Sequence, residues 1–201
     1  MFLFLDVASP IPEFHLINDK KIIDSIKIIN NSNEKLSDLL IPTYLNIDNT
    51  YKISKNVKKL IISIGPGSYT ALRVGASFIA GLSQSMKLPV SIVSTETFHQ
   101  WFSYPNEQIG IYFTSSNKQT FFSYKKNSEF IHEKIDNQNY LIPKFISLIL
   151  FNLSLPKLIN NKIKSEVFSV KMNIINNLHK LDFNENLTIK PIYISNNRIL
   201  N

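Results

Sequence analysis

Short apolar runs separated by polar turns open the chain and predict strands. Residues 2–7, FLFLDV, end at a charged residue before a proline-containing turn, as a buried strand does. EFHLIN at 13–18 and KIIDSIKII at 21–29 predict two more strands, which meet in a hairpin at Asn18-Asp19. The chain therefore starts with the strands of a sheet.

The apolar positions then change to helical spacing. Leu36, Leu39 and Leu40 recur at the interval of one helix face, and Asn33 precedes them as a candidate cap. A helix is therefore predicted over about 34–46. Pro42 lies inside it and predicts a kink or a break, because proline removes a backbone donor.

A strand, a glycine-rich loop, a helix and a second strand follow in order. KLIISI at 59–64 and PVSIV at 89–93 are short β-branched runs typical of interior strands, and 68–86 is predicted to be helical. This order at this spacing indicates a right-handed parallel crossover. A short helix over 95–102 is predicted next.

The second half of the chain has a less regular pattern. Residues 109–116 and 119–126 alternate between apolar and polar positions and predict an antiparallel pair. Segments 141–153 and 171–181 predict helices, and 190–195 predicts a last strand.

The length of 201 residues fits one domain or two small lobes. We expect an N-terminal lobe over 1–104, which holds the glycine loop, and a smaller, divergent lobe over 105–201 packed on it. The chain has no cysteine, which excludes disulfides and Cys-ligated metal sites. The apolar stretch 140–155 carries Lys144 and Asn152 and is too short for a membrane span, so we expect a cytoplasmic protein.

The net charge of +7 admits a nucleic-acid partner but does not favour one. The 22 Lys and Arg residues are scattered, and the densest run, KNVKK at 55–59, is short. Abundant Lys, Asn and Ile are also what an AT-rich coding sequence produces at neutral positions. Charge spread in this way predicts nonspecific attraction rather than a binding site.

Four of the five glycines fall in the loop and helix at 65–81. The loop could bind a phosphate, position another protein, or only turn the chain. No Gly-Lys-Ser/Thr ending is present, and Thr70 stands where the dinucleotide fingerprint needs its third glycine. Free amides before a helix can still bind an anion. The residues considered for an anion or nucleotide contact are Gly65, Gly67, Ser68, Thr70 and Asp6.

Gly75 and Gly81 lie inside the predicted helix, where each costs about 1 kcal/mol of helix propensity relative to alanine. Ser77, Gly81 and Ser85 repeat every four residues, a spacing that lets another backbone approach closely. Two interpretations stay open. The small residues either pack the helix on its own sheet or present a flat face to a partner helix.

Residues 65–95, GPGSYTALRVGASFIAGLSQSMKLPVSIVST, closely resemble the hallmark segment of the TsaB-type (YeaZ-type) proteins. FLFLDVAS at the start and KPIYISNN near the end resemble the opening and closing strands of that family. The resemblance implies an α/β fold of the actin-like ATPase (ribonuclease H-like) superfamily. It further implies a mixed sheet with flanking helices and a reduced or divergent second lobe.

The resemblance also implies a function. TsaB-type proteins are the noncatalytic dimerization subunit of the bacterial complex that makes N6-threonylcarbamoyladenosine at the adenosine next to the tRNA anticodon. The expected partners are the catalytic TsaD-type paralogue and the ATPase TsaE-type subunit, with tRNA reached indirectly through the complex. A homodimer is an alternative when the chain is alone.

The implied interface lies on the first two long helices. Its residues are Leu36, Leu39, Leu40, Ser68, Tyr69, Ala71, Leu72, Arg73, Gly75, Ala76 and Ile79. The chain is expected to have no catalytic residue, no cofactor and no metal of its own. ATP or ADP, the metal and threonylcarbamoyl-adenylate are expected on the partner subunits.

Several positions depart from the family pattern. Val7-Ala8 follows Asp6 where threonine and serine are usual, and Thr114-Ser115-Ser116 replaces an Asp-Ala-Arg element. Lys35 stands where the first long helix often has a histidine. These departures predict either a divergent member or one whose second lobe has degenerated.

Arg73 is the one charged residue in an otherwise small and apolar helix. It could form a salt bridge to a partner, contact a phosphate near the loop, or pair internally with Asp6 or Glu96. Two rival functions also stay open. One is a stripped-down nucleotide or sugar kinase that uses Asp6 and the glycine loop, and the other is a stand-alone small-molecule or RNA binder.

Overall fold

Two five-stranded mixed sheets with flanking helices make up the structure, which is a computed structural model. It describes residues 1–31, 33–102, 104–135, 140–153, 163–185, 188–195 and 198–200. We call residues 1–104 the first lobe and residues 105–201 the second lobe, and this division of the chain stays a prediction.

The first sheet forms from the predicted apolar runs. Its strands are β1 (Phe2–Asp6), β2 (Glu13–Asn18), β3 (Lys21–Lys27), β4 (Lys59–Ser63) and β5 (Val90–Val93). They lie in the order β3-β2-β1-β4-β5; β1, β4 and β5 are parallel, and β2 is antiparallel to both of its neighbours. β1 and β4 lie in the interior of the sheet, which is why both read as continuous apolar runs. The five strands predicted here are confirmed.

Pro42 does not break α1 (Leu36–Tyr51), so the predicted split is wrong, whereas the alternative, a kink, stays a prediction. The amide that proline lacks would bond the carbonyl of Asp38, and both residues are exposed, so water can reach that carbonyl. The helix runs five residues past the predicted end because Ile47 continues its buried face. Lys35, rather than Asn33, precedes its first residue.

The other helices of the first lobe follow the predicted order. α2 (Ile53–Asn56) is a single turn that joins α1 to β4, and α3 (Tyr69–Met86) lies between β4 and β5. α4 (Thr95–Trp101) follows β5 and starts with a capping box between Ser94 and Thr97. The predicted strand–helix–strand crossover is confirmed.

The second sheet repeats the connectivity of the first. Its strands are β6 (Ile109–Thr114), β7 (Thr120–Lys126), β8 (Glu129–Ile135), β9 (Leu148–Phe151) and β10 (Lys164–Val167). They lie in the order β10-β9-β6-β7-β8, with β6, β9 and β10 parallel and β7 antiparallel to β6 and β8. Each sheet is thus a three-stranded antiparallel meander followed by two parallel strands, although the sequence shows no repeat.

The helix predicted over 141–153 is wrong, because its second half is strand β9. All four residues of β9 are buried, and a strand covered on both faces gives an uninterrupted apolar run that resembles a buried helix. The helix predicted over 171–181 is confirmed as α5 (Val170–Asn176) followed by a 3₁₀ turn at Leu178–Lys180. β11 (Tyr193–Ser195) and β12 (Arg198–Leu200) pair as a separate antiparallel two-stranded sheet.

One hydrophobic core connects the two sheets, and a smaller cluster lies elsewhere in the second lobe. Residues 183–185 and 188–193 return to the first lobe, although the sequence assigns them to the second. Asn184 pairs with Val90, and the Ile192 amide donates to the Ile64 carbonyl at 2.8 Å. The C-terminal segment therefore closes over the strand that leads into the glycine loop.

Candidate partner interface and supporting networks

The glycine loop between β4 and α3 is packed closely by other segments. Gly65 has φ +107°, which favours glycine, and a Cβ there would lie 2.9 Å from Leu72 Cδ1 and 3.2 Å from the Ile192 carbonyl oxygen. A Cβ on Gly67 would lie 3.3 Å from Ala8 Cα. The glycines thus allow the turn after β1 and the C-terminal segment to approach the loop.

The residues considered for an anion contact do not share one exposed surface. Gly65 and Asp6 are buried, whereas Thr70 is exposed and Gly67 and Ser68 are half-buried. Ser68 occupies the position before α3 with an extended backbone, but its side chain makes no capping hydrogen bond. The anion contact stays a prediction.

The Asp6 carboxylate holds the turn after β1. Its Oδ1 accepts hydrogen bonds from Ser63 Oγ at 2.8 Å, the Ser9 amide at 3.1 Å and the Ala8 amide at 3.2 Å. Burial raises the pKa of this carboxyl, and the bonds from these donors oppose the shift. Because three donors converge on one oxygen, Asp6 fixes the backbone that packs against the glycine loop.

α3 packs on the chain's own first sheet through Gly75. A Cβ at this position would lie 2.8 and 2.9 Å from the two γ-methyl groups of Val7. A Cβ on Gly81 would meet nothing within 4 Å. Gly75 is therefore a packing position within the chain, which corrects its assignment to a partner-facing surface.

Most of the expected interface positions face the core of the chain. The buried ones are Leu36, Leu40, Ala71, Leu72, Gly75, Ala76 and Ile79. Apolar residues at helical spacing mark the side of a helix that packs on its own protein, and the sequence pattern detected that side. The partly or fully exposed members are Leu39, Ser68, Tyr69 and Arg73.

A groove of ≈ 600 Å³ opens between α1 and α3. Its lining comprises Ser37, Leu40, Ile41, Tyr69, Thr70, Arg73, Val74, Ser77 and Phe78. Three large side chains on these helices are more than half exposed: Ile41 (56 %), Leu45 (52 %) and Tyr69 (55 %). Ile41, Tyr69 and Arg73 line the groove, and Leu45 follows Ile41 by one helical turn; we call these four residues the α1/α3 face. Clustered exposed apolar side chains are typical of an interaction site.

An aromatic cluster beneath this face fixes α1 against α3. The Phe78 ring lies 5.3 Å from the ring of Tyr44 and 5.9 Å from that of Phe14, both as edge contacts. The Tyr44 hydroxyl lies 3.8 Å from Met86 Sδ. Contacts of this kind hold the two helices in one arrangement, so the face is preorganised.

Arg73 lies over the ring of Tyr69, which precedes it by one helical turn in α3. Its guanidinium carbon lies 5.2 Å from the ring centroid, and Nη1 donates to the Tyr69 hydroxyl at 3.1 Å. The predicted internal pair with Asp6 or Glu96 is wrong, because Asp6 is bonded to Ser63 and Glu96 contacts His132. The other two interpretations of Arg73 stay predictions.

Four polar side chains form a hydrogen-bonded chain between the lobes. Thr95 Oγ1 donates to Ser123 Oγ at 3.1 Å, and Ser123 Oγ lies 2.8 Å from His132 Nδ1. His132 Nε2 lies 3.1 Å from Glu96 Oε1, and this hydrogen bond lowers the pKa of Glu96. The network ties α4 of the first lobe to β7 and β8 of the second.

The order Ser123–His132–Glu96 is that of a hydrolytic triad, but the serine is not placed to act as a nucleophile. Its side chain is 0 % exposed and already accepts the hydrogen bond from Thr95. Ser123 and His132 are direct neighbours across the β7–β8 ladder. Sequence reasoning missed this network, because it depends on that register and on the distant helix α4.

A second cavity of ≈ 550 Å³ lies between the lobes and includes Asp6, Glu13, His15 and Lys171 in its lining. His15 is 1 % exposed, with Nδ1 2.8 Å from Ser25 Oγ and Nε2 3.6 Å from Glu13 Oε2. Burial, and next the charge of Lys171, lowers its pKa to about 3. His15 is therefore neutral at pH 7, and its contact with Glu13 is not an ion pair.

The described part of the chain has neither a candidate metal site nor a candidate membrane span. No three His, Cys, Asp or Glu side chains there are grouped so as to hold a metal ion. None of the described helices combines the length and the apolar character required to cross a membrane.

One family model matches the greater part of the chain. The model of TsaD, described as tRNA N6-adenosine threonylcarbamoyltransferase, matches residues 30–173. The match includes α1, the glycine loop and most of the second lobe. No curated protein sequence matches the chain significantly.

Two solved structures from Pseudomonas aeruginosa share the fold. YeaZ has a TM-score of 0.59 at 12 % identity, over 96 % of this chain and 99 % of that one. An uncharacterized protein with similarity to peptidase YeaZ gives 0.60 at 12 % identity and the same coverage. With its two matching sheets, the chain has the predicted actin-like (ribonuclease H-like) fold. The chain therefore belongs to the TsaD family, which is tied to N6-threonylcarbamoyladenosine formation in tRNA, and it has the fold of YeaZ.

Proposed function

We propose that the chain is a noncatalytic subunit of the complex that makes N6-threonylcarbamoyladenosine next to the tRNA anticodon. It binds a catalytic TsaD-type paralogue through the α1/α3 face. The observation that carries this proposal is the exposure of Ile41 and Tyr69 in the lining of one groove, with exposed Leu45 one helical turn after Ile41. Family membership supports the identity of the partner.

The energetics of the face suit a protein partner. Fully burying an exposed Ile or Leu side chain contributes about 1.5–3 kcal/mol, and a stable interface buries about 1,200–2,000 Å² in total. Because the cluster of Phe14, Tyr44 and Phe78 already fixes the helices, little ordering is required on binding. Apolar residues on a preorganised surface are the expected anchors.

Arg73 supplies a polar contact for this face. Tyr69 holds the guanidinium through one hydrogen bond and the ring contact, and an arginine has five N–H donors. The remaining donors can engage a carboxylate of the partner in a bidentate pair. Arg73 thus gives the interface an orientation as well as an attraction.

The chemistry of the complex is assigned to the partner subunits. The TsaD-type paralogue binds the metal and threonylcarbamoyl-adenylate, and a TsaE-type ATPase with ATP or ADP joins the pair. In the chain itself, the Asp6 carboxylate accepts three hydrogen bonds and the Ser123 hydroxyl is fully buried, which supports a structural role for both. Without its partner, the chain can form a homodimer through the same face.

Titration calorimetry with the TsaD-type paralogue of the same genome tests the proposed face. Ile41→Asp places a charge among the apolar anchors and should weaken binding by about tenfold or more. Leu141→Asp is the matched control, because Leu141 is an apolar side chain of the second lobe with 88 % exposure. Equal binding by both variants would contradict this assignment. Gly75→Leu is unsuitable, since it collides with Val7 within the chain.

A further inference from the structure

The structure brings together lysines that lie far apart in the sequence. They lie at the end of the first sheet where β1 and β4 begin, opposite to the glycine loop. We call this surface the basic edge; its residues are Lys20, Lys21, Lys52, Lys55, Lys58 and Lys59. Lys59 is half-buried and the other five are exposed.

Strand pairing places Lys21 and Lys59 at the same end of the sheet. Lys21 starts β3 opposite Asn18, and Lys59 starts β4 opposite Phe2. β2 and β1 separate these two strands, so the two lysine backbones lie roughly 15 Å apart at a strand spacing of ~4.8 Å. The amide of Lys58 donates to the Met1 carbonyl at 3.0 Å and extends the edge.

A hydrogen bond holds the junction of α1 and α2 next to the basic edge. The Tyr51 hydroxyl donates to Asp24 Oδ2 on β3 at 2.6 Å, three residues from Lys21. Lys52 follows directly, in the left-handed conformation that ends α1, and Lys55 lies on the next turn. The lysines of the hairpin and those of the helix junction therefore form one surface.

The charge on this surface is free to act on a partner. None of the ion pairs within 4.0 Å among the described residues involves these lysines. Three carboxylates on the same elements, Asp19, Asp24 and Asp48, each accept a local hydrogen bond. Lys59 is held over the ring of Phe183 at 4.4 Å. The remaining cations face solvent.

We propose that the basic edge binds the phosphodiester backbone of tRNA. The proposal rests on the proposed function, in which the substrate of the complex is a tRNA. Flexible lysine side chains are point charges that suit phosphates without base readout. A single large apolar side chain, Ile23, is exposed beside the edge in the described part of the chain, whereas protein interfaces have an apolar centre. RNA therefore fits better than an acidic protein.

The basic edge and the α1/α3 face can be occupied together. Ile41 and Lys52 are separated by eleven residues along one helix, or roughly 16 Å at ~1.5 Å per residue. The glycine loop starts α3 at the end of the sheet opposite to the edge. The chain can therefore hold its protein partner and guide tRNA at the same time.

Fluorescence anisotropy with an unmodified transcript of a tRNA that reads codons beginning with A tests this proposal on the chain alone. One variant carries Lys21→Gln, Lys52→Gln, Lys55→Gln and Lys58→Gln. The matched control carries Lys118→Gln, Lys125→Gln, Lys126→Gln and Lys144→Gln, which removes the same charge from exposed positions of the second lobe. Circular dichroism checks that both variants are folded.

The edge variant should bind about tenfold or more weakly at ~0.1 M salt, and its plot of log K against log salt should be shallower by about 2–4. The control should stay within about twofold of the unchanged chain. Equal losses in both variants, or no tRNA binding by the unchanged chain, would overturn the proposal. Displacement of the tRNA by polyglutamate at equal charge would also overturn it, in favour of an acidic protein partner.

This test is independent of complex formation. If the paralogue binds but the edge variant retains tRNA affinity, the inference about RNA fails and the proposed function stands. If the paralogue does not bind but the edge lysines carry the tRNA affinity, the proposed function fails and the RNA surface stands.

Discussion

The two glycines inside α3 have opposite surroundings. Gly75 faces the γ-methyl groups of Val7 at 2.8 and 2.9 Å, whereas an added Cβ on Gly81 meets no atom within 4 Å. Val7 is fully buried and β-branched, so it has little freedom to move away. At the scale of single residues, one glycine is required for packing and the other only weakens the helix.

Alanine at these two positions should therefore change stability in opposite directions. We expect Gly75→Ala to lower the free energy of unfolding by about 1–2 kcal/mol, because overpacking exceeds the gain in helix propensity. Gly81→Ala should raise it by about 0.5–1 kcal/mol. Urea unfolding of both variants measures the difference. Stabilisation by Gly75→Ala would show that Val7 does not limit the approach of α3.

Buried His15 makes stability depend on pH. Its pKa is 6.5 in the unfolded chain and about 3 in the folded one, so protons bind the unfolded state first. Burial of neutral His15 stabilises the fold fully at pH values above its pKa in the unfolded chain. This stabilisation is lost as the pH falls toward its pKa in the folded chain. Between pH 7 and pH 5 this proton linkage lowers the free energy of unfolding by about 2 kcal/mol. Burial also lowers the pKa of His99, which contributes in the same direction.

His15→Gln should remove this part of the pH dependence. Urea unfolding at pH 7 and pH 5 gives the loss of stability for the unchanged chain and for the variant. His179→Gln, at an exposed histidine, is the control and should keep the full loss. The same loss in the unchanged chain and in His15→Gln would mean that His15 is not kept neutral by burial.

At the scale of elements, the contact between α4 and the β7–β8 hairpin depends on one polar chain. Ser123→Ala leaves His132 Nδ1 and the Thr95 hydroxyl buried without their partner, which should cost about 1–3 kcal/mol of unfolding free energy. Ser37→Ala, at an exposed serine of α1, should change it by less than about 0.5 kcal/mol. A similar small effect at both positions would show that the network does not stabilise the lobe contact.

The elements also show which parts of the fold the sequence could predict. β1, β4 and β5 were predictable because local apolar runs and turn residues define them. β9 was not, since a strand buried on both faces has no period that distinguishes it from a helix. β8 and β10 were missed as well. Each of these two strands forms by pairing with a neighbouring strand, and its own residues carry no pattern that identifies this partner.

The candidate site was predictable to a smaller extent. The hallmark run indicated the helices of the proposed interface, but the apolar period selected their core-facing residues, such as Leu72 and Ile79. Ile41 and Leu45, the exposed α1 residues of the α1/α3 face, do not follow the apolar period. No local pattern in the sequence therefore marks them. Contacts between distant positions, such as Glu96 with His132, depend on tertiary structure alone.

At the scale of the whole molecule, the two lobes repeat one strand order but differ in their helices. In the first lobe α1 and α3 flank the parallel strands and carry both the α1/α3 face and, at the end of α1, part of the basic edge. In the described part of the second lobe the helical residues are α5 and one 3₁₀ turn. The surfaces proposed for partners therefore concentrate on the first lobe.

Light scattering after size-exclusion chromatography of the chain mixed with its TsaD-type paralogue tests whether the two proteins form a complex through the α1/α3 face. We expect a single heterodimer peak, heavier than the paralogue by one 23.1 kDa chain, which Ile41→Asp disperses and Leu141→Asp leaves intact. Two separate peaks at micromolar concentration, with both proteins folded, would contradict a subunit that acts through the α1/α3 face.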